Sequence, residues 1–309
     1  MPVKKRVLVV HYSQSGQLST IAHHFAQPLL DHPDIDVTFE QIKPVENFPF
    51  PWPILQFFDT FPEAVYLNPP AIQASTLTGE EDFDLIILAY QVWFLSPSLP
   101  TTAFLQSPVA TKLLQDKPVV TLIACRNMWL MAQESVKSML NEMGAKLIGN
   151  VALVDAAGSV GSFLATPVWV LSGNKGPHLG GLIPKAGVAP EAITACNRFG
   201  HRIVEKILLA AKLDETLLQG LGAVEVNEKL IASEKTAKRG FRIWGKLLRS
   251  LGPPGSLLRK PVILIYIVFL ISFIILFIPL SVLIKSLLSP LTRRRTAQQK
   301  KYFSSPSGS

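Results

Sequence analysis

Residues 6–22 read Arg-Val-Leu-Val-Val-His-Tyr-Ser-Gln-Ser-Gly-Gln-Leu-Ser-Thr-Ile-Ala, and this stretch decides the predicted fold. Its apolar run, residues 7–10, predicts a parallel strand that is buried on both faces. A polar turn over residues 12–17 comes next, and Ile21 and Phe25 then begin an apolar stripe with helical spacing. The order is therefore strand, hydroxyl-rich loop and helix.

The loop between this strand and this helix predicts a site for a phosphate group. A helix N-terminus offers unpaired backbone N–H groups and the positive end of the helix dipole, and Ser13 and Ser15 add two hydroxyl donors. The loop contains no lysine and matches no nucleotide-binding glycine motif, so we expect neutral donors to hold the phosphate. The alternative is that the two serine hydroxyls only cap the helix.

Strand and helix patterns alternate along residues 1–212, which we take as one α/β domain. The runs that predict strands lie at residues 7–10, 36–42, 84–89, 118–124 and 145–155. Right-handed crossovers between them give a doubly wound parallel sheet of five strands with helices on both faces. Two connections differ: seven prolines in residues 44–70 argue against a long regular element, and the glycine-rich residues 156–189 predict a long loop.

The phosphate loop also resembles that of the flavodoxin family, in which Ser/Thr-x-Thr/Ser-Gly-x-Thr comes after the first strand. Ser13-Gln14-Ser15-Gly16-Gln17 fits this pattern, while Leu18 stands where the family usually has threonine. The resemblance implies a flavodoxin-like fold and an FMN cofactor. Its phosphate would then be bound by residues 13–18.

A second stretch, after the third predicted strand, presents aromatic side chains where ligands bind in such sheets. Tyr90 and Trp93 there can stack on a flat heteroaromatic ring. The stretch resembles the quinone-reductase-like branch of the same family, which it matches at Trp93, Pro100, Ala103 and Phe104. The resemblance implies flavin contacts from Tyr90, Gln91, Val92, Trp93 and Phe94. The alternative is that Trp93 belongs to the core.

The fourth predicted strand ends in Cys125, Arg126 and Asn127, which we expect to contact the cofactor. Arg126 and Asn127 are also candidate catalytic residues, because a guanidinium group there can stabilise an enolate or an anionic reduced flavin. The alternative for Arg126 is an ion pair with a surface carboxylate. His178, in the glycine-rich connection, is the third candidate catalytic residue, although a lone histidine in such a loop is often solvated. No spacing of His, Cys, Asp or Glu predicts a metal site.

The proline-rich connection is unusually aromatic, which indicates either a loop packed on the domain or an apolar wall over a hydrophobic ligand. We predict substrate contacts from Phe50, Trp52, Phe57, Phe58 and Trp129.

The charge is unevenly distributed. Residues 1–212 hold 15 Lys and Arg against 17 Asp and Glu, whereas residues 213–309 hold 15 against 5. Inside the basic part, residues 262–284 carry no charge, which is long enough for a membrane helix. We therefore predict a basic amphipathic linker at 213–260, a transmembrane or re-entrant membrane helix at 261–288 and a basic disordered tail at 289–309. Basic residues on both sides leave spanning and re-entry equally open, and they indicate a lipid interface, not nucleic acid.

The two cysteines lie far apart in the sequence, and no run is typical of a secretory signal; both features indicate a reducing compartment. We therefore expect the protein to lie at the cytoplasmic face of a bacterial inner membrane. Residues 5–212 are similar to the bacterial flavodoxin-like family of dialkylresorcinol condensing enzymes, on the motifs at 12–18, 49–52, 57–63 and 126–129. That resemblance implies FMN-dependent aromatisation of a lipophilic dialkylcyclohexane-1,3-dione, beside a ketosynthase partner. A membrane-bound NAD(P)H:quinone reductase is the alternative enzyme, and an electron carrier or membrane scaffold the alternative of another class. NAD(P)H and a homodimer are further candidates.

Overall fold

The computed structural model of the protein describes residues 4–209 and 213–308, with side chains for all of these except 159–160 and 277–292. Its strands are β1 (Lys5–His11), β2 (Ile35–Gln41), β3 (Leu85–Trp93), β4 (Ser96–Pro97), β5 (Pro118–Cys125) and β6 (Lys146–Val154). Five of them form a parallel sheet in the order β2-β1-β3-β5-β6, and the short β4 pairs antiparallel with the end of β3. This is the flavodoxin-like order, with its switch point between β1 and β3. The predicted fold class is confirmed.

Helices cover both faces of the sheet. They are α1 (Gln17–Leu30), α2 (Ile54–Val65), α3 (Leu99–Leu105), α4 (Pro108–Leu114), α5 (Leu130–Glu142), α6 (Gly158–Ser172), α7 (Pro190–Ala195), α8 (Asn197–Leu208), α9 (Glu228–Ser250) and α10 (Arg259–Ser304). Val7 and Val9 pack with α1 and α8 on one face, while Leu8 and Val10 pack with α3, α4 and α5 on the other. All four side chains are fully buried, as the continuous apolar run of β1 predicts.

The proline-rich connection contains a regular helix, so the prediction of an irregular segment is wrong. Pro53 is the N-cap of α2, and Pro62 lies in its last turn. A proline inside a helix costs about 3 kcal/mol. Phe61 and Val65 are buried against α9 and α10, and this packing offsets that cost.

The glycine-rich connection is also partly helical, since α6 occupies its first half. Asp155, at the end of β6, organises this connection: its carboxylate accepts hydrogen bonds from the backbone N–H of Ala157 (2.8 Å) and Gly187 (2.9 Å) and from the Thr166 hydroxyl (3.0 Å). The backbone of Trp52 in turn donates to the carbonyl of Val170 (2.9 Å), so α6 covers the start of α2. The prediction of a long loop is therefore wrong for this half, because glycine argues only locally against a helix.

The packed domain continues beyond residue 212, where the predicted domain ended. Leu217, Leu218 and Ala223 lie in the core beside α8, and Ala152 of β6 donates to the carbonyl of Ala223 (2.9 Å). The predicted linker contains α9, which packs against α2 and α5 and buries Glu234. Residues 213–250 are therefore packed on the sheet-containing domain.

The predicted disordered tail is helical up to Ser304, and its end is docked. Phe303 is buried, and the Tyr302 hydroxyl donates to Glu134 (2.7 Å). Among the residues described, one helix is long and apolar enough to cross a membrane, with a mean hydropathy of 2.2 over Arg259–Leu276.

Candidate functional site

The loop between β1 and α1 has the geometry of an anion site. Gly16 is the N-cap of α1, with a φ of 81° that favours glycine, and nothing lies within 4 Å of where its Cβ would be. In the described part of the chain, the backbone N–H groups of Ser15, Gly16, Gln17 and Ser19 have no hydrogen-bond partner. Four unpaired donors at the positive end of a helix fit a phosphate group.

Some of residues 13–18 are used to hold the loop together, and the others remain able to bind a ligand. The Ser13 Oγ accepts from the backbone N–H of Leu18 (3.1 Å), which is the capping role that the alternative interpretation assigned to it. The backbone N–H of Gln14 donates to Gln91 Oε1 (3.3 Å), and its side-chain amide donates to the carbonyl of Pro49. The Leu18 side chain is fully buried and cannot face a ligand. Ser15, Gly16 and Gln17 remain as the groups that can bind an anion.

A cavity of about 340 Å³ lies beside the first turn of α1, and its lining includes two lysines, whereas the loop itself contains none. Gln17 lines it and accepts from the backbone N–H of Val188 (3.3 Å), and Lys175 and Lys185 are also among its lining residues. Burial, and then the charge of Lys185, lower the pKa of Lys175. The sequence indicated Lys185 as a candidate polar contact to substrate, but it did not place either lysine beside the first turn of α1, because this proximity depends on how residues 173–189 fold back.

Trp93 is half-buried in a cluster of aromatic rings. Its ring lies 6.0 Å from that of Tyr12, 5.0 Å from Phe48 and 5.6 Å from Trp52, in each case edge to face. The predicted stacking role of Tyr90 is wrong: the side chain is fully buried and its hydroxyl donates to Gln133 (2.6 Å). Because β3 continues through residues 90–93, alternate side chains point to opposite faces, and Tyr90 points into the core.

The remaining predicted ring contacts are spread over three places. The Gln91 side chain accepts from the backbone N–H of Gln14 in the phosphate loop, and Val92 packs against the core on the α5 face. Phe94 lies outside that face, against Phe57 and Phe61.

Arg126 and Asn127 lie together at the end of β5, as predicted. The Arg126 guanidinium lies over the Phe163 ring, 4.0 Å from its centroid, and burial lowers the pKa of Arg126 to about 10. The group therefore stays charged at neutral pH. In the described part of the chain no carboxylate oxygen lies within 4 Å of it. Asn127 donates to Ser162 Oγ (3.3 Å), while its Oδ1 is buried without a partner.

The other predicted site residues occupy three different environments. The Cys125 thiol contacts the carbonyl of Leu153 (3.9 Å), and burial raises its pKa. Trp129 is 2% exposed within the core, so the prediction that it contacts substrate is wrong. His178 makes its hydrogen bonds inside its own loop, to the carbonyl of Asn174 (3.2 Å) and, through its backbone, to Ile183.

Two residues of α9 that the sequence did not single out are buried near this edge. Glu234 Oε1 accepts from the backbone N–H of Met131 (2.6 Å), and its Oε2 is buried without a partner. Burial raises the pKa of Glu234 to about 7, against the lowering effect of the Met131 bond. Lys238 donates to the carbonyl of Leu95 (2.8 Å) and to Ser96, and burial lowers its pKa to about 8.

A continuous row of aromatic rings leads from the Trp93 cluster to the apolar helix α10, and we call it the aromatic row. Successive ring centroids lie 4.7–5.8 Å apart. In order, the row consists of Trp93, Trp52, Phe57, Phe94, Phe61 and Tyr266. Phe58 also contacts Tyr266 (6.0 Å), and Phe50 contacts Trp169 of α6 (6.0 Å). Phe50, Phe57 and Phe58 are half-buried, so their substrate contacts stay a prediction. Trp52 is 4% exposed within the row, so the prediction that it contacts substrate is wrong.

Whether these residues fit FMN can be tested on their unpaired groups. The donors of Ser15, Gly16 and Gln17 fit its phosphate, and the buried, unpaired Asn127 Oδ1 fits an N–H at the edge of its ring. Both sets of groups are left without hydrogen-bond partners in the described part of the chain.

No protein-family model matches the sequence, and no curated protein matches it either. Several solved structures are similar to it. A flavoprotein in complex with FMN from Lactobacillus acidophilus NCFM is 20% identical over 48% of this chain and 93% of its own, with a TM-score of 0.36. A flavodoxin from the domain Archaea is 13% identical over 66% of this chain and 99% of its own, with a TM-score of 0.36.

An NADH:FMN oxidoreductase in its apo form is 15% identical over 49% of this chain and 75% of its own, with a TM-score of 0.29. At these identities and TM-scores, the similar structures say nothing about the site. The site is therefore characterised by its own geometry: an open phosphate loop, a charged edge at β5 and an aromatic row that ends at α10.

Proposed function

We propose that the protein is an FMN-dependent oxidoreductase acting on a lipophilic substrate. The observation that carries the proposal is the aromatic row, which joins the cluster beside the phosphate loop to the base of the apolar helix. An electron carrier would need only an exposed ring edge, whereas a row of rings reaching α10 suits an alkyl-chain substrate.

The phosphate loop would hold the FMN phosphate through the N–H groups of Ser15, Gly16 and Gln17. When bound, FMN supplies a two-electron acceptor for a hydride. Asn127 Oδ1 would accept from the ring edge, which removes the cost of leaving a buried acceptor unpaired. The rings of Trp93 and Trp52 would exclude water from the same region.

More narrowly, we propose aromatisation of a dialkylcyclohexane-1,3-dione to a dialkylresorcinol, which the resemblance in the sequence suggests. The conversion removes one proton and one hydride from the ring, and both carbonyl oxygens become hydroxyls through enolisation. Arg126, charged and without a carboxylate partner in the described part of the chain, would donate hydrogen bonds to the enolate oxygen. Glu234 Oε2, unpaired and with a pKa of about 7, would accept the proton.

The experiment that tests the proposal is an absorption spectrum of the protein purified in mild detergent, with heat release and identification of any flavin as the second step. We expect stoichiometric FMN, bleached by added dialkylcyclohexanedione in the absence of oxygen. FMN that is bleached by no dione would contradict the narrower activity and leave the oxidoreductase. A colourless protein that takes up no added FMN would contradict the cofactor itself and favour the membrane scaffold.

NAD(P)H:quinone reduction is the second candidate. Lys175 and Lys185, which line the 340 Å³ cavity together with Gln17, would give that candidate a place for the phosphates of a nicotinamide cofactor. Bleaching of the flavin by NADH or NADPH, with reoxidation by a quinone and none by a dione, would favour it. A location at the cytoplasmic face of a bacterial inner membrane, a ketosynthase partner and a homodimer remain predictions.

A further inference from the structure

The apolar stretch at the start of α10 is not covered by the protein. Only 17% of the residues from Arg259 to Leu276 are buried, although their mean hydropathy is 2.2. The side chains that point outward are 44–71% exposed: Leu264, Ile265, Val268, Phe269, Ile271, Ile275 and Leu276. A helix of this composition on the surface of a domain needs an apolar environment.

The N-terminal end of α10 is fixed to the domain by buried charges. The Arg259 guanidinium, 1% exposed, donates to Glu63 Oε1 (2.9 Å) and Oε2 (3.1 Å) and to Asp59 (3.2 Å), both on α2. Four residues later Ile263 is buried, and the Tyr266 ring lies 4.7 Å from that of Phe61. This end of the helix cannot leave α2 without exposing or unpairing these groups.

The C-terminal end of α10 is fixed to the same domain at another place. Phe303 is buried in the core on the α5 face, and the backbone N–H of Asn150, in β6, donates to Ser307 Oγ (2.7 Å). Lys300 forms an ion pair with Glu228 of α9 (2.9 Å). Both ends of the apolar segment therefore lie against one folded unit.

The helix between these ends is bent. The Tyr266 ring lies 5.2 Å from the ring of Trp244, and Lys235 Nζ lies 5.2 Å from the centre of the Phe303 ring. Lys235 and Trp244 are about 14 Å apart along α9, whereas a straight helix would separate Tyr266 from Phe303 by about 55 Å. The side chains are too short to make up this difference.

We propose that residues 262–284 enter a lipid bilayer and return to the side from which they came, as a re-entrant hairpin. A segment that crossed the bilayer once would place residues 259 and 303 on opposite sides. Both are docked on the same domain, which lies on one side, so a single crossing would require one end to undock. The proposal does not depend on a flavin or on any substrate.

The distribution of charge fits an anionic lipid surface on that one side. Exposed basic residues without a carboxylate within 4 Å, in the described part of the chain, flank both ends of the hairpin: Arg239, Arg242, Lys246, Lys260, Arg293, Arg294 and Arg295. Cations near the cytoplasmic leaflet each favour binding by about 1 kcal/mol. Because both flanks are basic, a single span would have to place one of them on the disfavoured side.

The test is labelling of one introduced cysteine at a time with a membrane-impermeant maleimide, in the full-length chain in bacterial membranes. Three exposed positions suit it: Ser250→Cys before the hairpin, Ser272→Cys inside it and Ala297→Cys after it. We expect Ser250→Cys and Ala297→Cys to react in inverted vesicles and not in intact spheroplasts. Ser272→Cys should react in neither preparation and only after detergent is added.

Two results would overturn the proposal. Labelling of Ser250→Cys and Ala297→Cys from opposite sides would show a single span. Labelling of Ser272→Cys without detergent would show that the segment does not enter the bilayer. The unsubstituted chain, with Cys196 buried and Cys125 half-buried, provides the background, and labelling of all three variants in detergent confirms that each site is reactive.

Discussion

Polar groups are unpaired at the start of α1 and paired at the junction of α2 with α10. At the start of α1, backbone donors of Ser15, Gly16 and Gln17 are left unpaired around an open glycine. At the junction, Arg259 is almost fully buried and both Asp59 and Glu63 bind it. Unpaired donors in the open suit a ligand that comes and goes, whereas paired charges in the interior hold two elements together. The difference separates a binding site from a structural joint.

The largest expected effect comes from breaking the joint. Arg259→Met leaves Glu63 buried without its counter-charge, and such losses cost about 3–5 kcal/mol. We expect the midpoint of urea unfolding, monitored by near-UV circular dichroism in detergent, to fall strongly. Lys260→Met is the matched control, because Lys260 is exposed and unpaired among the described residues. Equal midpoints for the two variants would show that the joint does not stabilise the fold.

Glu234 has one hydrogen-bonded and one unpaired oxygen in the same carboxylate. Its Oε1 accepts a hydrogen bond, as the carboxylates around Arg259 do, whereas its Oε2 has no partner, like the donors at the start of α1. Its folded pKa of about 7 is raised above the usual 4.5, so its contribution to stability is full below pH 4.5 and is lost as the pH rises through 7. The loss is on the order of 2–3 kcal/mol. Glu234→Gln should remove this dependence, measured as the difference in unfolding free energy from the unsubstituted protein between pH 5 and pH 8.

That difference separates the contribution of Glu234 from that of His11. Burial lowers the pKa of His11 to about 4, which works in the opposite direction in acid, and Lys238 titrates near pH 8. Both groups remain in Glu234→Gln, so the contribution of His11 cancels. Glu234 raises the pKa of Lys238, so Lys238 responds to the substitution, and the change in the difference between pH 5 and pH 7 is the part assigned to Glu234. A difference that stays constant between pH 5 and pH 8 would contradict the raised pKa.

A negative charge in the phosphate loop should expel an anion without harming the fold. Ser15→Asp places a carboxylate at the N-terminus of α1, which stabilises a helix by about 0.3–1 kcal/mol. The same carboxylate would repel a phosphate, so we expect FMN affinity to fall by more than about 100-fold, or ~2.7 kcal/mol. Ser15→Ala, which removes one hydrogen bond, should cost about tenfold. Fluorescence titration of FMN measures both, and full retention of flavin by Ser15→Asp would contradict the site.

The smallest effect concerns the lysines opposite the loop. Lys185 is exposed, so Lys185→Gln should weaken binding of a phosphate-bearing ligand by no more than about 1 kcal/mol, and less at high salt. Titration of FMN and of NADPH at low and high ionic strength measures this. A change for NADPH alone would place the nicotinamide cofactor in the cavity, and no change for either would leave the lysines outside both sites.

Regular strands were easier to predict than the segments between them. Each of the five parallel strands was predicted within a few residues. Short apolar runs between turn residues are typical of strands buried on both faces, and the alternating pattern of β2 is typical of a half-buried strand. Helices α2 and α6 were missed, since Pro62 and Gly161 argue locally against a helix. Their formation depends on partners far along the chain, such as α9 for α2 and Pro184, which packs where a Gly161 side chain would lie. Local patterns cannot show such packing.

The sequence by itself determined the strand–loop–helix unit at residues 6–22, the parallel sheet and the presence of an uncharged segment at 262–284. All three can be seen from the spacing and length of apolar runs along the sequence, without knowledge of distant contacts. The tertiary structure alone decided that Tyr90 is core, that Glu234 lies near Arg126, that the aromatic row reaches α10 and that both ends of α10 return to one domain. Each of these depends on contacts between residues more than 30 positions apart, and no local pattern encodes their distance.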